Sequence, residues 1–362
     1  MSARPILIMA GGTGGHVYPA LAVARALEAR AQSVVWLGTE RSLESSVVPA
    51  AGIDIEWVSV SGLRRKGALA LLIAPFQLCR ALAQSLGVIK RRRPAAVLGM
   101  GGFVSGPGGI AAWLMGRPLV IHEQNAIAGL TNRLLARLAR VVLQAFPGSF
   151  NSGVNAETVG NPVREDIAAI ATPSHRYAAH QGPMRLLVLG GSQGSLALNV
   201  TVPKALSKLS ATARPVVRHQ CGTLTLDAAR EAYTEHRVDV ELLPFIDDMA
   251  SAYAWADLVV CRAGALTVAE ICAVGLAAVF IPYPAAVDDH QTANARPLAD
   301  AGAAIIIDER DLTPQLLADV LREWLASRDA LRVRAEKAHE LARPDALSRI
   351  TELCLEQAGV AA

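Results

Sequence analysis

Aromatic residues are scarce in this 362-residue chain, 4% of the total, and the 52% hydrophobic content is carried instead by small and aliphatic side chains. That composition suits helices packed on parallel sheets better than a β-sandwich. Five cysteines, Cys79, Cys221, Cys261, Cys272 and Cys354, are an odd number with no Cys-x-x-Cys spacing, so a disulfide framework is excluded and buried, reduced thiols are expected. The chain has no Asp-x-Asp. Its nearest acid-x-acid pairs, Asp54-Ile55-Glu56 and Asp239-Val240-Glu241, read as solvent-facing strand residues, and its histidines lack ligand spacing, so no metal and no other cofactor are expected. The longest apolar run, Ala68 to Ala74, is broken by Pro75 and is too short to span a bilayer. The first residues, Met1-Ser2-Ala3-Arg4-Pro5, lack a charged region leading into a long apolar stretch, so no secretory signal is expected.

Against these absences stand two glycine-rich loops, each directly after a short apolar run. Gly11-Gly12-Thr13-Gly14-Gly15-His16 follows Ile6-Leu7-Ile8-Met9, and Gly190-Gly191-Ser192-Gln193-Gly194-Ser195 follows Leu186-Leu187-Val188-Leu189. A strand that ends in glycines lets main-chain N–H groups crowd around phosphate oxygens, while the helix that follows points its positive end at the same anion. Two such units predict two nucleotide-binding α/β domains with a nucleotide-linked substrate in the cleft between them. Neither loop is a dinucleotide fingerprint: Val17 stands where G-x-G-x-x-G needs its last glycine, and the second loop lacks the G-x-G spacing. Neither contains Gly-Lys-Ser/Thr, which excludes a P-loop.

Periodicity predicts strands at 6–10, 33–37, 95–98 and 119–121 in the first half, with a helix from about Pro19 to Arg30. Strands at 215–219, 238–243, 258–261 and 277–281 follow in the second half, with helices from about Pro314 onward. The alternation breaks near Gly160-Asn161-Pro162-Val163-Arg164, and the polar stretch beyond it, with His175, His180, Gln181 and Pro183, is predicted to be the hinge. Domains are therefore expected at 1–162 and 163–345, with a C-terminal helix at 346–362 that packs back on the first domain. The halves differ in charge: residues 1–162 carry 16 basic and 7 acidic residues, the remainder 19 and 25. Basic clusters at Arg64-Arg65-Lys66 and Lys90-Arg91-Arg92-Arg93 flank the apolar run. This pattern fits a segment lying on an anionic membrane surface, or a core-facing helix with solvated charges at its ends.

A third glycine run, Gly99 to Gly109, and the segment His122-Glu123-Gln124-Asn125 both follow predicted strands, where open α/β sheets place ligands. His122 and Glu123 fit a structural hydrogen bond as well as a role in a site. His16 lies at the start of a helix, which disfavours the imidazolium and leaves a ring able to act as general base or to hydrogen-bond a phosphate. Glu270, early in the helix opened by Ala263-Gly264-Ala265-Leu266-Thr267-Val268-Ala269, could accept hydrogen bonds from two ribose hydroxyls or could partner the helix dipole. The segment Asp288 to Asn294 supplies amides suited to sugar hydroxyls.

Taken in order, the first glycine loop, the Gly99 to Gly109 run, His122 to Asn125, Gly160 to Arg164, Gly190 to Gly194, Phe245-Ile246-Asp247-Asp248-Met249 and Ala265 to Glu270 resemble the MurG family of membrane-associated N-acetylglucosaminyltransferases. The resemblance implies the GT-B fold, two Rossmann-like parallel-sheet domains with the active site in the interdomain cleft. It implies inverting transfer of N-acetylglucosamine (GlcNAc) from UDP-GlcNAc to the C4 hydroxyl of the muramoyl sugar of lipid I, giving lipid II for peptidoglycan synthesis. The donor contacts it implies are Thr13, Gly14, Gly15, Asn125, Arg164, Ser192, Ile246 through its main chain, Ala265, Leu266, Thr267, Val268, Ala269, Glu270 and Gln291. His16 is the expected base and Glu123 the alternative. By the same resemblance the protein is peripheral on the cytoplasmic side of the bacterial cytoplasmic membrane. It would meet an anionic surface through Leu72, Phe76, Cys79, Leu82, Trp113 and neighbouring Arg and Lys residues, with cell-wall and division proteins as further partners and no nucleic acid. A diacylglycerol glycosyltransferase and a non-catalytic nucleotide-sugar-binding scaffold are the competing readings.

Overall fold

The computed structural model describes residues 4–60, 68–191, 194–284 and 289–360, without the side chains of 68–73. Ser192, Asp288, Arg64, Arg65, Lys66 and the side chain of Leu72 lie outside the described residues.

The chain divides into two compact units, one of Met1–Val163 with Arg343–Ala362 and one of Arg164–Ala342. In the first, β1 (Ile6–Met9), α1 (Gly14–Ala29), β2 (Val34–Gly38), α2 (Glu44–Ala50), β3 (Asp54–Trp57), α3 (Ala68–Arg92), β4 (Ala96–Gly99), α4 (Ser105–Leu114), β5 (Leu119–Glu123), α5 (Leu130–Leu135), β6 (Val141–Gln144) and β7 (Ala156–Thr158) alternate as expected of a parallel α/β sheet. The strand order is β3-β2-β1-β4-β5-β6-β7, every pairing parallel. β1 and β4 sit at the centre and are buried along their whole length, which is why they read as unbroken apolar runs. Reversal of strand order on either side of β1 and β4 brings the loops after β1, β4 and β5 to one edge, the carboxyl edge where such sheets bind ligands.

The second unit holds α6 (Glu165–Ala168), α7 (Pro173–Ala179), β8 (Arg185–Leu189), α8 (Leu196–Ser207), β9 (Val216–Gln220), α9 (Leu226–Glu235), β10 (Glu241–Leu243), α10 (Met249–Trp255), β11 (Leu258–Cys261), α11 (Ala265–Val274), β12 (Ala277–Phe280), α12 (His290–Asp300), β13 (Ala304–Ile306), α13 (Pro314–Trp324) and α14 (Arg328–Glu340). Its sheet runs β10-β9-β8-β11-β12-β13, again all parallel. The last helix, α15 (Ala346–Ala358), belongs to the first unit, where it packs on α1, β4 and β5.

Several local expectations change. α1 begins at Gly14 rather than near Pro19: Thr13 is extended at the N-cap position, and Pro19 sits inside the helix at the expense of one main-chain bond. β10 is shorter than predicted and starts at Glu241, since the Val238 N–H is spent on the Tyr233 carbonyl at the end of α9, at 3.1 Å. The units change at Val163–Arg164, within the predicted break, and the polar stretch beyond it belongs to the second unit. The Arg176 guanidinium donates to the carbonyls of Ala171, Val274 and Gly275. Tyr177 donates to the Asp257 carbonyl at 2.5 Å. The buried Asp257 carboxylate accepts from His180 Nδ1 at 2.7 Å, from the Arg185 main chain at 3.0 Å and from Arg328 at 3.1 Å. Those polar residues therefore pin the unit together. All five cysteines are unpaired; four are buried, and Cys79 is exposed, which departs from the buried thiols expected of the composition but not from its place on the expected membrane-facing surface.

Candidate active site

In the first unit three strand-end loops are tied to one another. Glu44, fully buried at the start of α2, accepts from the Gly12 N–H at 3.0 Å through one oxygen, and from the Thr39 N–H and hydroxyl at 3.0 and 2.7 Å through the other. Trp36 Nε1 donates to the Ala10 carbonyl at 2.9 Å. The third glycine run explains itself here. Gly102, at φ +82°, lies so close to the Gly11 main chain that a side chain would overlap it, and Gly101, at φ +92°, stands against the His16 ring, where a Cβ would come within 2.7 Å of Nδ1. Only glycine meets both the close approach and the left-handed backbone.

His16 occupies the first turn of α1, half-exposed, with Nδ1 3.0 Å from Gln124 Oε1. The Thr13 side chain makes no cap to the helix, so the N–H groups of the Gly14-Gly15 turn and the exposed Thr13 hydroxyl face outward together. Glu123 is differently placed. One of its oxygens accepts from Asn125 N and Nδ2 at 3.0 and 3.1 Å, the other from Gly129 N and Asn132 Nδ2 at 3.0 and 2.9 Å. His122 is fully buried, its Nε2 2.8 Å from the Gly160 carbonyl, and burial pushes its pKa down to about 4. The Gly160-Asn161 segment thus locks the loop after β5, with Asn161 Nδ2 donating to the Gln124 carbonyl at 3.0 Å.

In the second unit the loops after β8, β10, β11 and β12 form the corresponding edge. The glycine loop is fastened at both sides: Gln220 Nε2 donates to the Gly191 carbonyl at 2.9 Å, and Ser195 caps α8 while accepting from Arg262 at 2.7 Å. The same guanidinium donates to the Ile281 carbonyl at 3.0 Å and pairs with Glu309. Arg262 therefore couples the loop after β8 to the end of β12. Glu270 lies in the second turn of α11, with Tyr253 donating to Oε2 at 3.0 Å and Arg164 3.6 Å from Oε1. Burial raises the Glu270 pKa above its ordinary value, against the opposing pull of Arg164 and Tyr253. Two residues predicted separately, Arg164 and Glu270, are in this way neighbours.

Of the remaining segment, Leu266, Thr267 and Ala269 are half-exposed. Ala265 and Val268 turn their side chains into the core, and the Val268 N–H is spent on the Gly264 carbonyl. Ile246 buries its side chain and so anchors the loop between β10 and α10, where Asp248 caps α10. Gln291 Oε1 accepts from Tyr283 N at 2.9 Å and Ala263 N at 3.3 Å, bridging the ends of β11 and β12. Among the described residues no group of three or more His, Cys, Asp or Glu is placed to hold a metal ion.

The pattern of the glycosyltransferase family 28 N-terminal domain matches residues 6–144, and that of the glycosyltransferase family 28 C-terminal domain matches residues 185–350. The chain belongs to glycosyltransferase family 28. Within the family it is similar to the UDP-N-acetylglucosamine--N-acetylmuramyl-(pentapeptide) pyrophosphoryl-undecaprenol N-acetylglucosamine transferase of Alkalilimnicola ehrlichii, with 57% identity covering 98% of this chain and 99% of the relative. The transferase of the same name from Nitrosococcus oceani is 54% identical, covering 98% of each. Among solved structures it is similar to MurG of Acinetobacter baumannii, at 40% identity and a TM-score of 0.84, covering 98% of this chain and 99% of that one. The calicheamicin glycosyltransferase CalG4, 16% identical with a TM-score of 0.72 over the whole of both chains, shares the fold. The fold is thus the GT-B class of two Rossmann-like parallel-sheet domains. The two family 28 patterns leave residues 145–184 unmatched between them, and the change of unit at Val163–Arg164 falls inside that stretch.

Proposed function

We propose that this protein transfers N-acetylglucosamine from UDP-GlcNAc to the C4 hydroxyl of the muramoyl sugar of lipid I, with inversion at the anomeric carbon, to form lipid II. The observation that carries this reading is the correspondence, over 98% of the chain and at 57% identity, to a relative named for that transfer. In the reaction His16 takes the proton from the C4 hydroxyl as its oxygen bonds to the anomeric carbon, while the bond from that carbon to the β-phosphate oxygen breaks and UDP departs. Charge building on the departing diphosphate is met by main-chain N–H groups at the starts of α8 and α11, with Ser192 in the adjoining loop. Glu270 holds the ribose, with Arg164 beside it, the Ile246 main chain meets uracil, and Asn125 and Gln291 meet the GlcNAc moiety. Thr13, Gly14 and Gly15 present donors to the same substrate. Of the α11 segment, Leu266, Thr267 and Ala269 face the donor, while Ala265 and Val268 support the helix from within. We assign Glu123 to holding the loop after β5 rather than to proton transfer, since four N–H donors already fill its carboxylate.

The protein is placed by this reading on the cytoplasmic face of the cytoplasmic membrane as a peripheral enzyme. Among the described residues no helix is long and apolar enough to cross a membrane. Phe76 is 77% exposed and Trp113 51%, both suited to lipid contact. Leu82 does not join them, because it packs against the core of the first unit. The basic run is also partly spent: Arg91 and Arg92 pair with Glu56 at 2.6 and 2.7 Å, so Asp54 and Glu56 serve as partners rather than as free surface charges.

The deciding experiment measures UDP release from UDP-GlcNAc with a short-chain lipid I analogue or with diacylglycerol, each in excess EDTA. Release with the lipid I analogue alone is expected. Release with diacylglycerol alone points to a lipid glycosyltransferase of other specificity, and donor binding without turnover on either acceptor points to a scaffold.

A further inference from the structure

The hydrogen bonds behind His16 have only one consistent assignment of protons. Gln124 Nε2 lies 2.9 Å from the Met100 carbonyl and 3.3 Å from the His122 carbonyl. Carbonyls only accept, so the amide nitrogen must face them, and the amide oxygen is then turned to His16 Nδ1 at 3.0 Å. His122 Nε2 faces a carbonyl too, that of Gly160 at 2.8 Å, and so carries the ring's proton. Its Nδ1 is left to accept from Gln124 Nε2 at 3.2 Å. The low pKa of His122 agrees with a ring that keeps a single proton. Each member thus dictates the next, from the Gly160 carbonyl to His122, to Gln124 and to His16.

We propose that Gln124, oriented by His122, is a positioning residue for the transfer reaction: it accepts the Nδ1 proton of His16 and so holds that ring as the tautomer whose Nε2 lone pair faces outward. The hydrogen bond at one imidazole nitrogen sets which nitrogen is the base. A free histidine side chain prefers the proton on Nε2, the form that could not take a proton from a hydroxyl at that position. The chain of bonds therefore stores the correct base before substrate arrives, and Gly101 contributes by lacking a side chain, since a Cβ there would come within 2.7 Å of Nδ1 and push the ring off Gln124. The inference rests on His16 being the base.

The test joins imidazole nitrogen NMR of the full-length enzyme to the kinetics of Gln124→Met, which keeps length and bulk but removes the amide. In the unaltered protein His16 should show Nδ1 protonated and Nε2 bare. Gln124→Met should shift His16 toward the Nε2-protonated form and lower kcat by roughly 100-fold, the scale of a lost general base, with KM for UDP-GlcNAc changed less than threefold. If the variant does not fold, the tautomer in the unaltered protein still decides. An Nε2-protonated His16 there, with His16→Ala inactive, overturns the positioning role and leaves the base reading standing. A His16→Ala enzyme with undiminished kcat overturns the base reading and the proposal with it, and a Gln124→Met enzyme within twofold of normal kcat overturns the proposal alone.

Discussion

Glu270 is a partly buried carboxylate whose two oxygens already have neighbours, Tyr253 at 3.0 Å and Arg164 at 3.6 Å. Each oxygen can accept more than one hydrogen bond, so the pair is oriented rather than exhausted. Tyr253 fixes the plane of the carboxyl group, and Arg164, 40% exposed, opposes the upward shift that burial gives its pKa. A ribose placed against that edge gains two hydrogen bonds, on the order of 1 kcal/mol or more each. Glu270→Ala should therefore raise the KM for UDP-GlcNAc by about 10-fold or more while kcat falls less, read from initial rates at saturating acceptor. An unchanged donor affinity by calorimetry rules out the ribose assignment. Glu44 is a contrasting case: fully buried where Glu270 is only partly so, it meets no substrate in this reading, and its carboxylate is consumed in holding Gly12 and Thr39.

At the scale of elements, what holds the glycine loops is close approach rather than looseness. Gly102→Ala must place a methyl group against the Gly11 main chain at φ +82°, so the loops after β1 and β4 have to separate. We expect a loss of turnover of at least about 10-fold with His16 chemically unaltered, since a displacement of about 1 Å at a reacting group costs this much or more. Normal kcat in Gly102→Ala removes the idea that the two loops act as one. The amphipathic α3 carries the second prediction at this scale: Phe76→Asp should reduce sedimentation with anionic vesicles several-fold and leave turnover of a water-soluble acceptor analogue intact, whereas equal loss of both places Phe76 in the acceptor site. The glycine loops, the strand alternation and the boundary region were legible in the sequence because each is written in consecutive residues. Glu44, Gln124 and Arg262 were not, because their partners lie 32, 108 and 67 residues away in the cases of Gly12, His16 and Ser195, and no local pattern distinguishes a glutamate that holds a loop from one in solvent. The anchoring role of Arg176 and His180 was hidden for the same reason: the carbonyls and the Asp257 carboxylate that meet these side chains come from β11, α11 and their flanks.

The whole molecule contains two sheets, and each buries one histidine completely, His122 in β5 and His219 in β9. Burial lowers the first to about 4 and the second to about 3. His219 meets only Tyr233, through Nδ1 at 2.9 Å, and its Nε2 is buried without a partner among the described residues. In the unfolded chain both titrate near 6.5. Between that value and the folded one the unfolded state binds the extra proton, so stability falls as pH falls. The stability these groups confer is fully present above pH 6.5. It is lost down to about pH 4 for the first unit and about pH 3 for the second, and does not change further below. At about 1.4 kcal/mol per pH unit the losses are on the order of 3 and 5 kcal/mol, a large part of the 5–15 kcal/mol typical of a domain. Glu270 works in the opposite sense, since a raised carboxyl takes up its proton in the folded state first, and it offsets part of the loss in the second unit. Urea unfolding at steps from pH 7.5 to pH 4 should therefore show the midpoint falling once pH drops below 6.5. His219→Leu should flatten that fall for the second unit while leaving that of the first unchanged, as followed by hydrogen exchange of β9 and β5. A midpoint that holds steady from pH 6.5 to pH 4 means that other groups compensate and that neither histidine governs acid stability.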